Sequence, residues 1–271
     1  MKVDAEKFLE GLGGLRAALS LSADDRADAL EDYLTAQLDR QVARDPETGE
    51  PYPTTADLDS AIETRHYRRG VGKLFAGPDP VKRLPPMPAA PTLLDFFERR
   101  FQPANHLLQS AALALKQGLP DEIVLACLLH DTGQSFIRSE HGWWGAQLYE
   151  PYVPARTVFA IRYHQALRFY PDGEVGYSYP EIYHRIFGVD YTPPPDVERT
   201  YRFVRNHEWY MDARMVTVND LYAFDPNVTV SIEPFVDIIH RHFKQPPEGL
   251  GHDNSPVSHM WRTIAAPDAP L

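Results

Sequence analysis

The chain has 271 residues, 43% hydrophobic and 24% charged, the balance of a soluble globular protein able to bury a core without disulfides or structural zinc. Its 27 Lys and Arg against 38 Asp and Glu leave a formal charge of −11, which argues against a general nucleic-acid or anionic-membrane surface. No stretch approaches the roughly 18 apolar residues of a spanning helix, MKVDAEKFLEGL lacks the apolar core of a secretory signal, and Cys127 is the only cysteine, so a cytoplasmic location is expected.

Residues 4–20 and 22–44 read as two helices. Ser22 is the N-cap of the second, Asp24 and Asp25 sit in its first turn, and Ala27, Leu30, Tyr33, Leu34 and Leu38 form one apolar stripe. Turn residues from Asp45 to Pro53 end that helix, and residues 54–76 hold at most a short helix around Asp57–Tyr67. The basic cluster Arg65-His66-Tyr67-Arg68-Arg69 reads as a solvated patch. Gly77-Pro-Asp-Pro and Leu84-Pro-Pro-Met-Pro-Ala-Ala-Pro91 form a stiff connector. Residues 1–91 are therefore expected to be an N-terminal helical extension, either a cap or a homodimerisation arm.

From 92 to 245 the chain reads as one helical domain. Thr92 caps a helix through Leu93, Leu94, Phe96 and Phe97, and Pro103 opens another over 104–117, closed by Gly118. The helix 121–131 is apolar on nearly all sides from Ile123 to Leu129, which places it at the centre of a bundle. Ser139 caps a helix carrying His141, Trp143 and Trp144, and Pro154 begins another over 155–170. A Tyr- and Pro-rich loop, 171–196, precedes helices at 197–223 and 232–243, and a polar tail runs from there to Leu271, residues 246–271. The fold class is all-α.

The central helix ends in His130-Asp131. Taken alone, this pair is more commonly a solvated or capping helix end than a pair of ligands. Four further residues change that reading. His106 lies one helix earlier, His141 opens the next, His164 is mid-helix, and Asp220 sits in the apolar run Met215-Val-Thr-Val-Asn-Asp-Leu-Tyr, where an unpaired carboxylate would be costly. Imidazole and carboxylate are ligands for hard or borderline metal ions, and a carboxylate can bridge two of them. A two-metal site is the expectation. Cys127 reads as a small apolar filler beside it.

The order His106, His130-Asp131, Asp220 resembles the HD superfamily of metal-dependent enzymes, and His141 and His164 resemble the additional ligands of its dinuclear branch. The local sequences Asn105-His-Leu-Leu-Gln-Ser110, Ala126-Cys-Leu-Leu-His-Asp-Thr-Gly133, His141-Gly-Trp-Trp-Gly-Ala146 and His164-Gln-Ala-Leu-Arg-Phe-Tyr170 are most similar to the mixed-valent di-iron oxygenases, the inositol oxygenase and phosphonate-cleaving groups. The resemblance covers about residues 93–224.

It implies an all-helical HD bundle and two iron ions, Fe(II)/Fe(III), with His106, His130, His141, His164 and Asp220 as terminal ligands and Asp131 as the catalytic bridge. It also implies dioxygen and a small anionic substrate as partners, with Arg168 and Gln165 as substrate contacts. Arg168 lies one helical turn beyond His164, so its guanidinium can share the same cavity. The alternative is a phosphohydrolase in which the same ligands hold Mn, Mg or Zn and present hydroxide to a phosphate ester. In the phosphonate group a Tyr and a Glu upstream of the first His cover the metal; the corresponding stretch is Phe96-Phe-Glu-Arg-Arg-Phe101, with Glu98 and no tyrosine. An Arg expected close before the last Asp is replaced by Thr217 and Val218. The second His-Asp pair, His252-Asp253, lies among Gly, Asn, Ser and Pro and reads as a loop.

Overall fold

The computed structural model describes residues 5–21, 23–38, 84–101, 104–137, 140–187 and 191–267. The expected helix around Asp57–Tyr67, the basic cluster at 65–69 and the cap residues Ser22 and Ser139 lie outside the described residues. Among the described residues every regular element is helical, apart from one isolated bridge between Asp172 and Tyr177. The fold is all-α, as the helical periodicity requires. No helix among the described residues is long and apolar enough to cross a membrane.

The helices are α1 (Ala5–Gly11), α2 (Leu15–Ala18), α3 (Ala23–Leu38), α4 (Leu93–Arg99), α5 (Ala104–Lys116), α6 (Asp121–Leu129), α7 (His141–Tyr149), α8 (Ala155–Leu167), α9 (Glu181–Phe187), α10 (Pro195–Arg205), α11 (Tyr210–Leu221), α12 (Val236–His242) and α13 (Ser258–Ala265). Helix α6 is the axis of the bundle: Ile123 to Leu129 are all buried, and α5, α8, α11 and α12 pack around it. Helix α11 lies along α8, where Arg156 makes a two-pronged ion pair with Asp212 at 2.8 and 2.9 Å. Such bidentate geometry fixes the relative rotation of two helices better than a single contact. At α4, Thr92 and Asp95 form the reciprocal capping box that the sequence foreshadows.

Several boundaries differ from the periodicity. Gly13 and Gly14, at φ +84° and +92°, divide the first expected helix into α1 and α2. The expected helix 197–223 is two helices, because the chain turns at Asn206–Trp209, where His207 Nδ1 accepts the Trp209 amide at 3.1 Å. The loop 171–196 contains α9 and the beginning of α10.

The C-terminal segment, read as a polar tail, carries α13 and is fastened to the bundle. Trp261 is fully buried among Phe96, Phe101, Tyr149 and Tyr152. Tyr152 donates to Asp253 at 2.7 Å, Arg100 donates to the Ala265 carbonyl at 2.8 Å, and the Leu250 amide donates to the Pro91 carbonyl at 2.8 Å. His252-Asp253 is thus part of a packed loop. Truncating Trp261 to Ala should cost about 3–5 kcal/mol of unfolding free energy, the usual range for removing a buried aromatic. Urea denaturation showing a loss below about 1 kcal/mol would mean that this segment does not belong to the cooperative core.

Candidate metal centre

Helix α6 delivers His130 and Asp131 together, although successive helical residues point about 100° apart. The chain resolves this by ending the helix between them. His130 keeps helical dihedrals, Asp131 moves to φ −102° and ψ 1°, and a 3₁₀ turn over Thr132–Ser135 follows. Thr132 secures the ending by donating to the Leu129 carbonyl at 2.8 Å while accepting from Tyr149 at 2.7 Å. Gly133 is required here, since a Cβ would stand 2.4 Å from the His141 carbonyl oxygen.

The six residues singled out by spacing meet in one buried cluster. Their ligand atoms fall into two groups that share Asp131: His106, His130, Asp131 and Asp220 in one, and Asp131, His141 and His164 in the other. Asp131 Oδ2 lies 3.3 Å from His106 Nε2, while Oδ1 lies 2.9 Å from His141 Nε2 and 3.4 Å from both His164 Nε2 and His130 Nε2. Asp220 Oδ1 lies 3.1 Å from His106 Nε2 and 3.6 Å from His130 Nε2.

Each ring is oriented from behind, as metal-binding imidazoles usually are. His130 Nδ1 is 2.8 Å from the Cys127 carbonyl, His164 Nδ1 is 2.7 Å from the Ile161 carbonyl, and His106 Nδ1 is 3.2 Å from the Ala223 carbonyl. Phe224 stacks on His106 with ring centres 4.0 Å apart. Thr217 donates to the His164 carbonyl at 2.8 Å, tying α11 to α8 beside the cluster.

Burial alone would discharge these groups, yet Asp131 and Asp220 on one side and His106 and His141 on the other hold one another charged in the metal-free protein. Burial opposes the His106 imidazolium, but hydrogen bonds and charge from Asp131 and Asp220 raise its pKa to about 10. Burial likewise opposes charge on His141, and Asp131 outweighs it, again to about 10. Asp131 and Asp220 are both held below the usual carboxylate range, burial pushing up and the neighbouring histidines pulling down harder. His164 is lowered by its burial.

The cluster fits a cation. Three imidazole nitrogens crowd one buried carboxylate oxygen, Asp131 Oδ1, at 2.9 to 3.4 Å, and fully buried His164 Nε2 has no hydrogen-bond partner, an arrangement that a shared ion would satisfy. The donors are imidazole and carboxylate, suited to iron, manganese or zinc.

Arg168 is buried at the C-terminal end of α8 and pairs with two residues of α3, Glu31 at 2.8 Å and Asp28 at 3.2 Å. Its backbone is anchored as well: Tyr177 donates to the Arg168 carbonyl at 2.7 Å, and Arg214 to the preceding Leu167 carbonyl at 3.0 Å. Gln165 faces His141 and the Gly142 amide.

Sequence reasoning missed Glu31, Asp28 and Gln134. Glu31 Oε2 lies 3.9 Å from His141 Nε2, and Asp28, Glu31 and His141 form a third potential ligand group. Gln134 donates to Asp131 at 3.0 Å and to Glu31 at 3.3 Å, joining the centre to α3. The carboxylate over the site is therefore Glu31 and not Glu98, which lies on an exposed face of α4. Burial, with repulsion from Asp131 and Asp220, drives Glu31 up to about 8 against the pull of Arg168. Nothing local marks these residues in the sequence, apart from Asp28 and Glu31 being acidic three apart on an otherwise amphipathic helix.

No family model matches the chain. Over 122 residues it is 29% identical to a [1-hydroxy-2-(trimethylamino)ethyl]phosphonate dioxygenase (glycine-betaine-forming) of Leisingera caerulea. The match covers 38% of this chain and 59% of that protein. The chain is thus similar to a phosphonate dioxygenase over part of its length.

The site's charge state has a measurable consequence. Because His106 and His141 carry protons well above their usual range, an ion entering the cluster at pH 7 must displace them. Metal binding should release protons and weaken as the pH falls. Isothermal titration of the metal-free protein with a divalent ion, in two buffers of different ionisation enthalpy, reads the number released; equal heats in both buffers would contradict this charge assignment.

Proposed function

We propose that the protein is a dinuclear metal oxygenase that uses dioxygen to oxidise or cleave a small anionic, phosphonate- or polyol-like molecule. In this reading His106, His130 and Asp220 would hold one iron, His141 and His164 the other, and Asp131 would serve both. The observation that carries the reading is the division of the Asp131 carboxylate between two groups of histidines. A mononuclear site would need neither His141 nor His164 in that place.

Similarity to a protein named as a phosphonate dioxygenase supports oxygen chemistry over hydrolysis. When bound, a mixed-valent pair of irons would supply dioxygen activation and abstraction of hydrogen from a C–H bond. The chain's own residues do the rest. The apolar wall of α6 and the stacked Phe224 keep water from the cluster. Arg168 presents a guanidinium held by the anchored end of α8, a geometry suited to a phosphonate or carboxylate.

Asp28 and Glu31 already occupy that guanidinium, so an anionic substrate must displace or share them. A substrate that also carries a cationic group could keep those carboxylates as partners. The relative's named substrate, with phosphonate and trimethylamino groups, has this charge pattern.

The decisive measurement is metal content with electron paramagnetic resonance of the partly reduced protein. Two irons per chain, a coupled mixed-valent signal and substrate-dependent oxygen uptake are expected. Redox-inert metal with turnover of phosphate esters and no oxygen uptake would assign a phosphohydrolase. Within the oxygenase, Arg168→Lys should raise KM for an anionic substrate at least tenfold with both metals retained, since one ammonium cannot reproduce the guanidinium fork. An unchanged KM would remove Arg168 from the substrate site.

A further inference from the structure

Helix α11 ends one residue after Asp220, and the chain continues through residues 222–228, which have no regular structure. Two residues of this loop, Ala223 and Phe224, are buried against His106. The Ala223 carbonyl meets the edge of the His106 ring, 3.2 Å from Nδ1. The Phe224 ring covers its face, with centres 4.0 Å apart and planes 16° from parallel. The loop thus fixes the plane of one candidate ligand and continues directly from the helix that carries another.

The rest of the loop faces solvent: Asp225, Asn227 and Val228 are exposed. The turn closes on itself, the Val228 amide donating to the Asp225 carbonyl at 3.2 Å and the Asn227 amide to the Asp225 carboxylate at 2.9 Å. Gln109, buried on α5 one turn beyond His106, fastens this turn to the bundle. Its amide nitrogen donates to the Asp225 carbonyl at 2.9 Å and to the Val228 carbonyl at 2.8 Å, while its Oε1 accepts the Asp225 amide at 2.9 Å. Both N–H groups of the side chain are used, and both point at main-chain carbonyls, which only accept. Asn105, one turn earlier on α5, donates to the same Val228 carbonyl at 3.4 Å.

We propose that Gln109 is a positioning residue for the first metal position, the one formed by His106, His130, Asp131 and Asp220, and that it acts through the loop it straps to α5. By holding Asp225 and Val228 it keeps Ala223 and Phe224 on the edge and face of the His106 ring. It also joins the helix that bears His106 to the chain that follows Asp220, so two ligands from distant parts of the sequence are held in one arrangement. The second position takes His141 and His164 from α7 and α8, which Gln109 does not join.

The inference rests on the two-metal reading, and two measurements keep them apart. Gln109→Met fills a similar volume without hydrogen bonds, and Gln109→Glu keeps the acceptor but sets a carboxylate against two carbonyl oxygens. In the metal-free protein, nuclear magnetic resonance of the histidine rings reads the loop directly, because protons over an aromatic face are shifted upfield. The His106 signal, assigned by its loss in His106→Ala, should move toward its unstacked position in both variants. Anaerobic titration with Co(II), with His164→Ala identifying the step that belongs to the second position, should then show a weaker first position. The expected loss is about tenfold, the low end for removing a contact behind a ligand, with the second position changed less than twofold. Circular dichroism checks folding.

An unmoved His106 signal, or a first-position affinity within twofold of wild type in a folded Gln109→Met, would overturn the inference and leave the two-metal site intact. Equal loss at both positions would also overturn it, as the mark of a general packing role. So would a Gln109→Glu that binds like wild type, since donation to the loop would then not matter. Uptake of one ion or none by wild type would overturn the two-metal reading itself, and the His106 signal would still decide whether Gln109 orients that ring.

Discussion

A carboxylate buried at the end of an apolar helix is the constraint on which the rest of this protein depends. Asp131 follows seven consecutive buried residues of α6, in surroundings where an unpartnered charge would cost several kcal/mol. Its partners come from α5, α7 and α8 at once, and Asp220 of α11 joins the cluster through His106. The packing of these helices around α6 is therefore more than a way to bury Ile, Val and Leu. It brings imidazoles to one point from several directions, and the points at which the helices begin and end are set to suit. Thr132 and Gly133 bend the chain so that Asp131 leaves the helical path, and Gly133 lets the first residue of α7 come within contact distance.

The second layer of the site depends on α3. Through Glu31 and Asp28 this helix reaches Arg168, and through Gln134 its charge is tied to Asp131. The same helix buries Ala27, Leu30 and Leu34 against Phe169, Tyr183, Phe187 and Phe224. Phe224 in turn stacks on His106. Apolar packing and polar contact thus converge: the face of α3 that buries leucine also carries the carboxylates into the interior.

The meeting of these histidines and aspartates was legible because they are rare residue types spread over successive helices. A histidine or aspartate on a buried helical face stands out against apolar neighbours, and helix length fixes which positions come level. Glu31 was not legible by the same logic. It is one acidic residue among several on α3, and its contact with Arg168 spans 137 residues of sequence with no periodicity to connect them. In the resemblance the covering carboxylate falls in the stretch Phe96–Phe101, where Glu98 is the acidic residue, and in the fold Glu98 is exposed. Long-range contact supplied it from the other side. Trp261 shows a different failure. Val257, Trp261 and Ile264 keep helical spacing, but Gly, Asn, Ser, Pro and Asp around them outweighed that signal. Composition averages over a window, whereas burial is decided by single side chains.

Gln165 draws these strands together. On sequence grounds it belongs with Arg168, both lying beyond His164 on one helix. In the fold they diverge, Arg168 to the carboxylates of α3 and Gln165 to the start of α7. The difference follows from what each end of a helix lacks. The C-terminal end of α8 leaves carbonyls for Arg214 and Tyr177 to satisfy, which steadies Arg168. The N-terminal end of α7 leaves an amide, which Gln165 satisfies and in doing so meets His141. Without metal, protons on His106 and His141 offset the charges of Asp131 and Asp220.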